Sequence, residues 1–435
     1  RSGGAVRSGA MAKGSAAAAE GAPFAVALEG AEASLAELQD LEDYYFGPDK
    51  EEKKRSASDT AVACVETALT CAERPSANTT AKAHYIKGRA YSFLEGQERQ
   101  AEELLSKALK LNPQLVEAWN ALGEVYWNQQ NYAQARTAFE QALELCGPNA
   151  VSLRNLSMVL RAVECEELEK GSNYAAGLQK AKEATVLDAE DPQNWETLGN
   201  AYMGEFFVNG KRVEELNKAL IAYSRAEAAY EKLGKRNPTL HMNRGQAAKF
   251  LEDYNLALKS FRIVQEIGSS RGGEEADKVL ELVRRLSGMV ERKGDLKSKR
   301  LKELTVGMPG TSCTLQQLRS KEAGSKPIAG RVVSVIDRKD EIPVMLVCCD
   351  SAGDFFALSI YNAEPAKIVE TLVPLQSVVD ISKPHLRQIT VDLASGEVTY
   401  PCIRVAHPAD VLVVGTGDLG SAAARPAFSS EKAAG

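Results

Sequence analysis

The sequence predicts a multidomain protein, an all-α solenoid of paired helices followed by a small closed all-β barrel. Three observations carry that expectation. Small residues recur among large ones at fixed offsets through residues 76–268. An amphipathic helix and a basic run follow. Beyond about residue 306 the pattern changes to short β-rich segments bounded by Gly, Pro, Asp or Asn. A chain of 435 residues, 44% hydrophobic and 26% charged, has length for two or three domains with sizeable cores.

The first nineteen residues carry three basic and no acidic side chains. Transit peptides share that composition with irregular Ala/Gly/Ser tails, and the missing amphipathic pattern favours a disordered tail over 1–30. Residues 31–75 hold two amphipathic stretches, SLAELQDLEDYYF and DTAVACVETALTCAE, and read as a helical region.

The repeat is clearest in Val116–Asn149. Trp119, Leu122, Gly123 and Tyr126 share one face of a first helix, NQQN interrupts it, and Ala135, Phe139 and Ala142 mark a second helix that Pro148 stops. Two helices cross closely only where side chains are small, so Gly123, Ala135 and Ala142 mark the crossings. This is the tetratricopeptide repeat (TPR) pattern, W-x2-L-G-x2-Y, then A-x3-F, then P. One repeat cannot bury its face alone. Upstream, Gly88 and Tyr91 precede Ala101, Leu105, Ala108 and Pro113, with Gly88 lying 35 residues before Gly123. Downstream come a degenerate unit around Leu156 and Ser157, a unit with Trp195, Leu198, Gly199 and Tyr202 followed by an eight-residue insertion, and a unit with Gly245, Ala248, Ala257 and Phe261. Five repeats are expected over 76–268. His84 and His241 occupy the slots of Trp119 and Trp195, which makes them core residues rather than ligands.

Residues 273–304 read as a capping helix and a basic knuckle, with six basic residues between 291 and 302. From 306 to 420, five or six strands and one helical piece, EPAKIVETL, suggest an oligonucleotide/oligosaccharide-binding (OB) fold. That fold invites single-strand binding through Phe355, Phe356 and Tyr361, but residues 326–410 carry a net charge of −3, against the basic grooves such binding needs. His385 and His407 read as loop residues. Residues 421–435 read as a disordered tail.

Several function classes are disfavoured. The net charge of −6 argues against binding polyanions with the whole surface, and no apolar run of about 18 residues offers a helical span, so no membrane partner is expected. The eight cysteines form no CxxC or zinc spacing, and scattered thiols fit a reducing compartment. GxSxG, a P-loop and a strand-to-helix GxGxxG are missing. No catalytic residue, metal site or cofactor is expected.

The stretches AEELLSKALKLNPQLVEAWNALGEVYW, VSLRNLSMVLR and LGNAY, with the KG-x-x-K-x-K knuckle after the last helix, resemble the tetratricopeptide repeat protein five (Strap) family over roughly residues 80–415. The resemblance implies a non-enzymatic adaptor. It implies recognition of the N-terminal peptide of nascent tubulin at the ribosome exit, leading through mRNA-decay adaptor proteins to decay of tubulin messages. An alternative it also implies is a nuclear stress-response cofactor that brings an acetyltransferase to transcription factors, the OB domain docking protein or chromatin. Cytoplasmic and nuclear locations follow as expectations.

Arg154, Met158 and Arg161 fall at i, i+4 and i+7 on one face of VSLRNLSMVLR, off the core face of Leu156 and Leu160. Two guanidiniums flanking a methionine suit an extended peptide with an acidic side chain, although such a face is more often merely solvated. The resemblance assigns Arg161 to face the tubulin peptide. Asn120, Asn155, Asn200 and Asn243 suit backbone recognition, because an amide both donates and accepts; Lys249 is a further inner position. The resemblance also implies that Glu274 and Glu275, near the capping helix start, meet a basic peptide residue. In the knuckle, Lys297 and Lys299 match the pair that in this family faces ribosomal RNA near the exit tunnel; Lys293 and Arg300 lie beside them, and Gly294 allows the chain to turn.

Overall fold

A computed structural model describes residues 10–45, 47–71, 76–163, 167–208, 212–322, 324, 326–336, 342–394 and 396–423. Residues 1–9 of the expected N-terminal tail and 424–435 of the C-terminal one lie outside the described residues.

Among the described residues the chain first forms α1 (Ala10–Tyr44) and α2 (Lys50–Cys71). Residues 10–30, expected as a disordered tail, continue α1 instead, as the high helix propensity of its alanines favours. Leu38 of α1 is buried against Ala57, Ala61, Ala90 and Phe93. Five helix pairs follow: α3 (Ala77–Ser92) with α4 (Glu98–Leu111), α5 (Val116–Asn128) with α6 (Tyr132–Cys146), α7 (Ala150–Ala162) with α8 (Glu167–Leu187), α9 (Pro192–Val208) with α10 (Val213–Lys232), and α11 (Pro238–Phe250) with α12 (Tyr254–Glu266).

The small residues work as the repeat pattern requires. A Cβ on Gly123 would lie 2.4 Å from the Phe139 ring, one on Gly199 2.4 Å from Tyr223, and one on Gly245 2.4 Å from Phe261. The tryptophans pin the loop before their helix: Trp119 Nε1 donates to the Pro113 carbonyl at 2.9 Å and Trp195 Nε1 to that of Ala189 at 2.8 Å. His241, in the same slot, is buried with Nδ1 3.9 Å from Glu227. His84 is half-buried, and burial with Lys107 and Lys87 nearby keeps its imidazole neutral below the usual range.

The chain forms two compact units. One runs to residue 164 and takes in 176–197 and 228–237; the other takes in 165–175, 198–227 and 238 onward.

In the second unit, α13 (Ser270–Glu291) starts three residues before the expected 273, and Gly272 there lets the helix approach the Phe261 carbonyl closely. A 3-10 turn (Lys293–Asp295) and α14 (Ser298–Leu304) follow, so part of the expected knuckle is helical. A short helix α15 (Leu315–Arg319) precedes the first strand, because Thr314 and Gln317 form a reciprocal capping box.

The barrel strands are β1 (Ile328–Ile336), β2 (Val344–Cys349), β3 (Phe355–Ile360), β4 (Val378–Ile381), β5 (His385–Leu393), β6 (Gly396–Val405), β7 (Val411–Val413) and β8 (Gly417–Asp418), with α16 (Pro365–Thr371) between β3 and β4. Eight strands replace the expected five or six, because the VLV run past residue 410 pairs with β4 and turns back on itself at Gly417. The order is β5-β6-β3-β2-β1-β4-β7-β8. Strands β4 and β5 follow each other directly, one pairing with β1 and the other with β6, which brings the sheet round on itself. The barrel reaches past the expected end at 420, since Ala422 is buried and Ala423 bridges Ala363.

Both faces of the central strands are buried. Phe356, Leu358 and Ile360 point into the barrel, while Val347, Cys349, Phe355, Ala357 and Tyr400 join Phe261, Val279, Val283 and Leu286 of α12 and α13 in one cluster. Phe355, Phe356 and Tyr361 are therefore core residues and offer no stacking surface. The Tyr361 hydroxyl donates to the Phe250 carbonyl at 2.7 Å, and Glu252 in the α11–α12 turn meets Arg404 at 2.7 and 2.9 Å. Asn255 caps the β5 edge as a strand would, donating to the Thr390 carbonyl and accepting from the Asp392 amide.

Candidate functional site

In a TPR pair the first helix turns its polar stripe to the inner face, because its apolar stripe is held by the partner helix. In the first unit these stripes form a ladder between repeats. Arg89 of α3 pairs with Glu124 of α5, and the Asn155 side chain of α7 donates to the other Glu124 oxygen at 3.1 Å. Sequence reasoning did not single out Arg89, yet it stands 35 residues before Glu124, the offset separating Gly88 from Gly123.

Arg154, Met158 and Arg161 share the inner face of α7 but do not act as one cluster. The Arg154 guanidinium reaches Asp191 at 2.5 Å and Asn194 at 3.1 Å. Arg161 donates from Nε to the Ser157 carbonyl at 3.1 Å, and its stem lies over Gly177, where an added Cβ would stand 3.0 Å from its Cγ. Met158, between them, is half-buried. Asn120 does not line the surface. It is buried where α5 meets α7, accepting the Ser152 hydroxyl at 2.7 Å, because the polar pair satisfies both groups there.

Glu196, also unforeseen, is buried and accepts from the Tyr230 hydroxyl and the Asn237 amide, each at 2.9 Å. Burial pushes its carboxyl up to about 7; Asp43 and Asp191 add to the rise, while the Tyr230 hydrogen bond and Arg154 oppose it.

In the second unit, the Asn200 side-chain oxygen accepts from Tyr223 at 2.8 Å and from Asn243 at 2.9 Å. Lys249 and Gln246 of α11 approach Glu275 of α13 at 3.7 and 2.8 Å, and Lys278 holds its other oxygen at 2.6 Å. Burial alone would raise the Glu275 carboxyl, yet the bonds from Lys278 and Gln246 bring it below the ordinary range. Glu275 is thus an anchored anion, while Glu274 is exposed beside it.

The knuckle presents its charge outward. Lys293, Gly294 and Asp295 all adopt left-handed backbone, with φ of 51°, 65° and 52°. A Cβ on Gly294 would come 2.9 Å from Val333, so the turn can press against β1 only with glycine. Lys297, Lys299 and Arg300 are exposed at the start of α14, and Arg331 clamps the helix end by donating to the carbonyls of Leu304 and Val306 at 2.9 and 2.6 Å. Lys293 and Lys302 flank a cleft of about 270 Å³ floored by Leu301, Cys349 and Phe355. Among the described residues, no group of His, Cys, Asp and Glu side chains is placed to hold a metal ion.

Comparison with known proteins gives three kinds of match. A family model described as the Tetratricopeptide repeat protein 5 OB fold domain matches residues 310–425, and tetratricopeptide repeat models match 81–115 and 116–149. Tetratricopeptide repeat protein 5 of Mus musculus is 32% identical over 365 residues, 78% of this chain and 81% of that protein. Its Homo sapiens counterpart is 32% identical over 355 residues, 76% and 79% of the two chains. Among solved structures, the APC/C hetero-tetramer Cut9-Hcn1 is 16% identical, with a TM-score of 0.43 over 59% of this chain and 47% of that one.

Proposed function

This chain belongs to the tetratricopeptide repeat protein 5 family, a TPR adaptor of protein–protein interaction, and from that premise we propose that it recognises the N-terminal peptide of nascent tubulin at the ribosome. The observation that carries the reading is the pairing of two surfaces. In the first unit the first helices present the Asn155 amide and the Arg154 guanidinium, and in the second unit the Asn200 and Asn243 amides and the anchored Glu275 of α13 are presented, groups that suit peptide recognition. The knuckle presents Lys297, Lys299 and Arg300 to solvent, where phosphate contacts can position the protein without reading sequence. In this reading Arg161 meets the acidic side chain of the peptide. Ribosomal RNA near the exit tunnel meets the knuckle, and mRNA-decay adaptors act downstream, in the cytoplasm.

The nuclear cofactor reading would ask the barrel to dock protein or chromatin. The face formed by β2, β3, β5 and β6 is occupied by α12 and α13, which disfavours that route. The deciding experiment is a pull-down with ribosome–nascent-chain complexes carrying tubulin or control N-termini. Selective capture of the tubulin complexes supports the reading, and equal capture of both rejects it.

A further inference from the structure

The last two turns of α1 present two different stripes. Leu35, Leu38 and Leu41 pack with Ala57, Ala61, Ala90 and Phe93 and hold the helix in the core. Gln39 and Asp43, and Asp40 and Tyr44, form i, i+4 pairs on another side, and each of these four meets a residue far along the chain within the same unit. Arg89 donates to the Gln39 side-chain oxygen at 2.7 Å. Gln193 donates to the Asp43 carboxylate at 3.2 Å. Lys235 holds Asp40 at 2.6 Å and lies 4.5 Å over the Tyr44 ring, which stands edge-on to Tyr230 at 6.0 Å.

These partners belong to repeats one and four, and they form a receptor for a defined chemistry. Two cations meet an amide and a carboxylate, Gln193 supplies a neutral donor, and Lys235 with Tyr230 encloses an aromatic ring. Arg89 is further aimed by Glu124 and by stacking over Phe93 at 4.4 Å. The polar stripe is not required to bury α1, whose anchorage is the leucine stripe.

We propose that Arg89, Gln193, Tyr230 and Lys235 form a recognition site for an acidic, tyrosine-bearing peptide segment, with Gln39–Tyr44 of α1 as its resident occupant. The occupant covers inner positions of the repeats, so an incoming peptide competes with it. The competition, though not the site, rests on the proposed peptide-binding function. If the end of α1 is seated nine-tenths of the time, releasing it tightens an incoming peptide about ten-fold.

The test uses the full chain and a synthetic peptide spanning Leu38–Tyr45, blocked at both ends. Asp40→Lys with Asp43→Lys repels the resident segment from Lys235, so that the helix end leaves the site together with Leu38 and Leu41, while Ala31 and Leu35 still hold the preceding turns of α1 in the core. The blocked peptide is expected to bind this variant in calorimetry about ten-fold more tightly than it binds the wild type. Adding Lys235→Asp, which supplies a carboxylate to the lysine introduced at position 40, is expected to reseat the segment and remove that gain in affinity. Equal binding to all three chains, or binding to none with unchanged circular dichroism, overturns the site. A second titration uses the tubulin N-terminal peptide, expected to bind the vacated variant about ten-fold more tightly than wild type. If the blocked peptide behaves as expected and the tubulin peptide binds neither chain, the site stands and the tubulin reading fails. If the tubulin peptide binds both chains equally, the competition is rejected.

Discussion

Two buried carboxylates, Glu252 and Glu196, sit among different neighbours. Glu252 faces Arg404, Arg387, the Tyr361 hydroxyl and the Cys402 thiol. Glu252→Gln removes the charge but leaves Arg404 largely enclosed beside it, at an expected cost of about 3–5 kcal/mol. Urea denaturation reads that as a lowered midpoint with unchanged slope. Glu196 has only a hydroxyl, an amide and other acids nearby, and its carboxyl sits near 7 against an ordinary 4.5. Below about pH 4.5 the group is neutral in folded and unfolded chains alike, and its contribution is complete. As pH rises toward 7 the unfolded chain ionises first, so stability falls, and the loss levels off above 7 at about 3 kcal/mol. Glu196→Gln should flatten that decline between pH 5 and 8; parallel curves for variant and wild type would show that Glu196 is ionised throughout. At the inner face, Arg161→Ala should weaken tubulin-peptide binding roughly ten- to a hundred-fold, the loss of one charge-assisted bond, while the chain stays folded by circular dichroism. Equal affinities by calorimetry would remove Arg161 from the site.

At the scale of elements, the helix pairs depend on a few positions with no room for a methyl group. The aromatic ring of the second helix fills the space where the Gly123 side chain would be, so Gly123→Ala must displace Phe139 or separate α5 from α6. The expected cost is about 1–3 kcal/mol, read as a lowered thermal midpoint. Gly96→Ala is the useful contrast: nothing lies near its Cβ, and its φ of 79° makes any loss there a matter of backbone strain alone. An unchanged midpoint for Gly123→Ala would mean that the α5–α6 crossing is looser than the ring contact indicates.

For the whole molecule the charge is divided by place. A chain with a net charge of −6 carries exposed Lys297, Lys299, Arg300 and Lys302 on one short helix and the turn before it. The Lys297→Glu, Lys299→Glu double variant should lose ribosome association yet keep affinity for free tubulin peptide, because the two contacts use different residues. Wild-type association should weaken steeply with salt, since each neutralised phosphate releases counterions. Sedimentation of the double variant with ribosomes, insensitive to salt, would return the knuckle to a solvated turn.

The helix pairs were legible in the sequence because their contacts are local: Gly123 and Phe139 lie on consecutive helices, and the same offsets recur at Gly199 with Tyr223 and Gly245 with Phe261. The glycine turn at 294 was legible for the same reason, since its backbone demand belongs to one residue. The tubulin and ribosome roles came from resemblance rather than from any pattern of residues. Composition could show that the barrel is acidic, but not that α12 and α13 cover the sheet face where Phe355 sits. Nor could it show that Gln39 meets Arg89 and Asp40 meets Lys235, pairs 50 and 195 residues apart. Periodicity records which side of an element is apolar; the partner that side or its opposite meets is set by packing over long separations, and only the tertiary structure decides it.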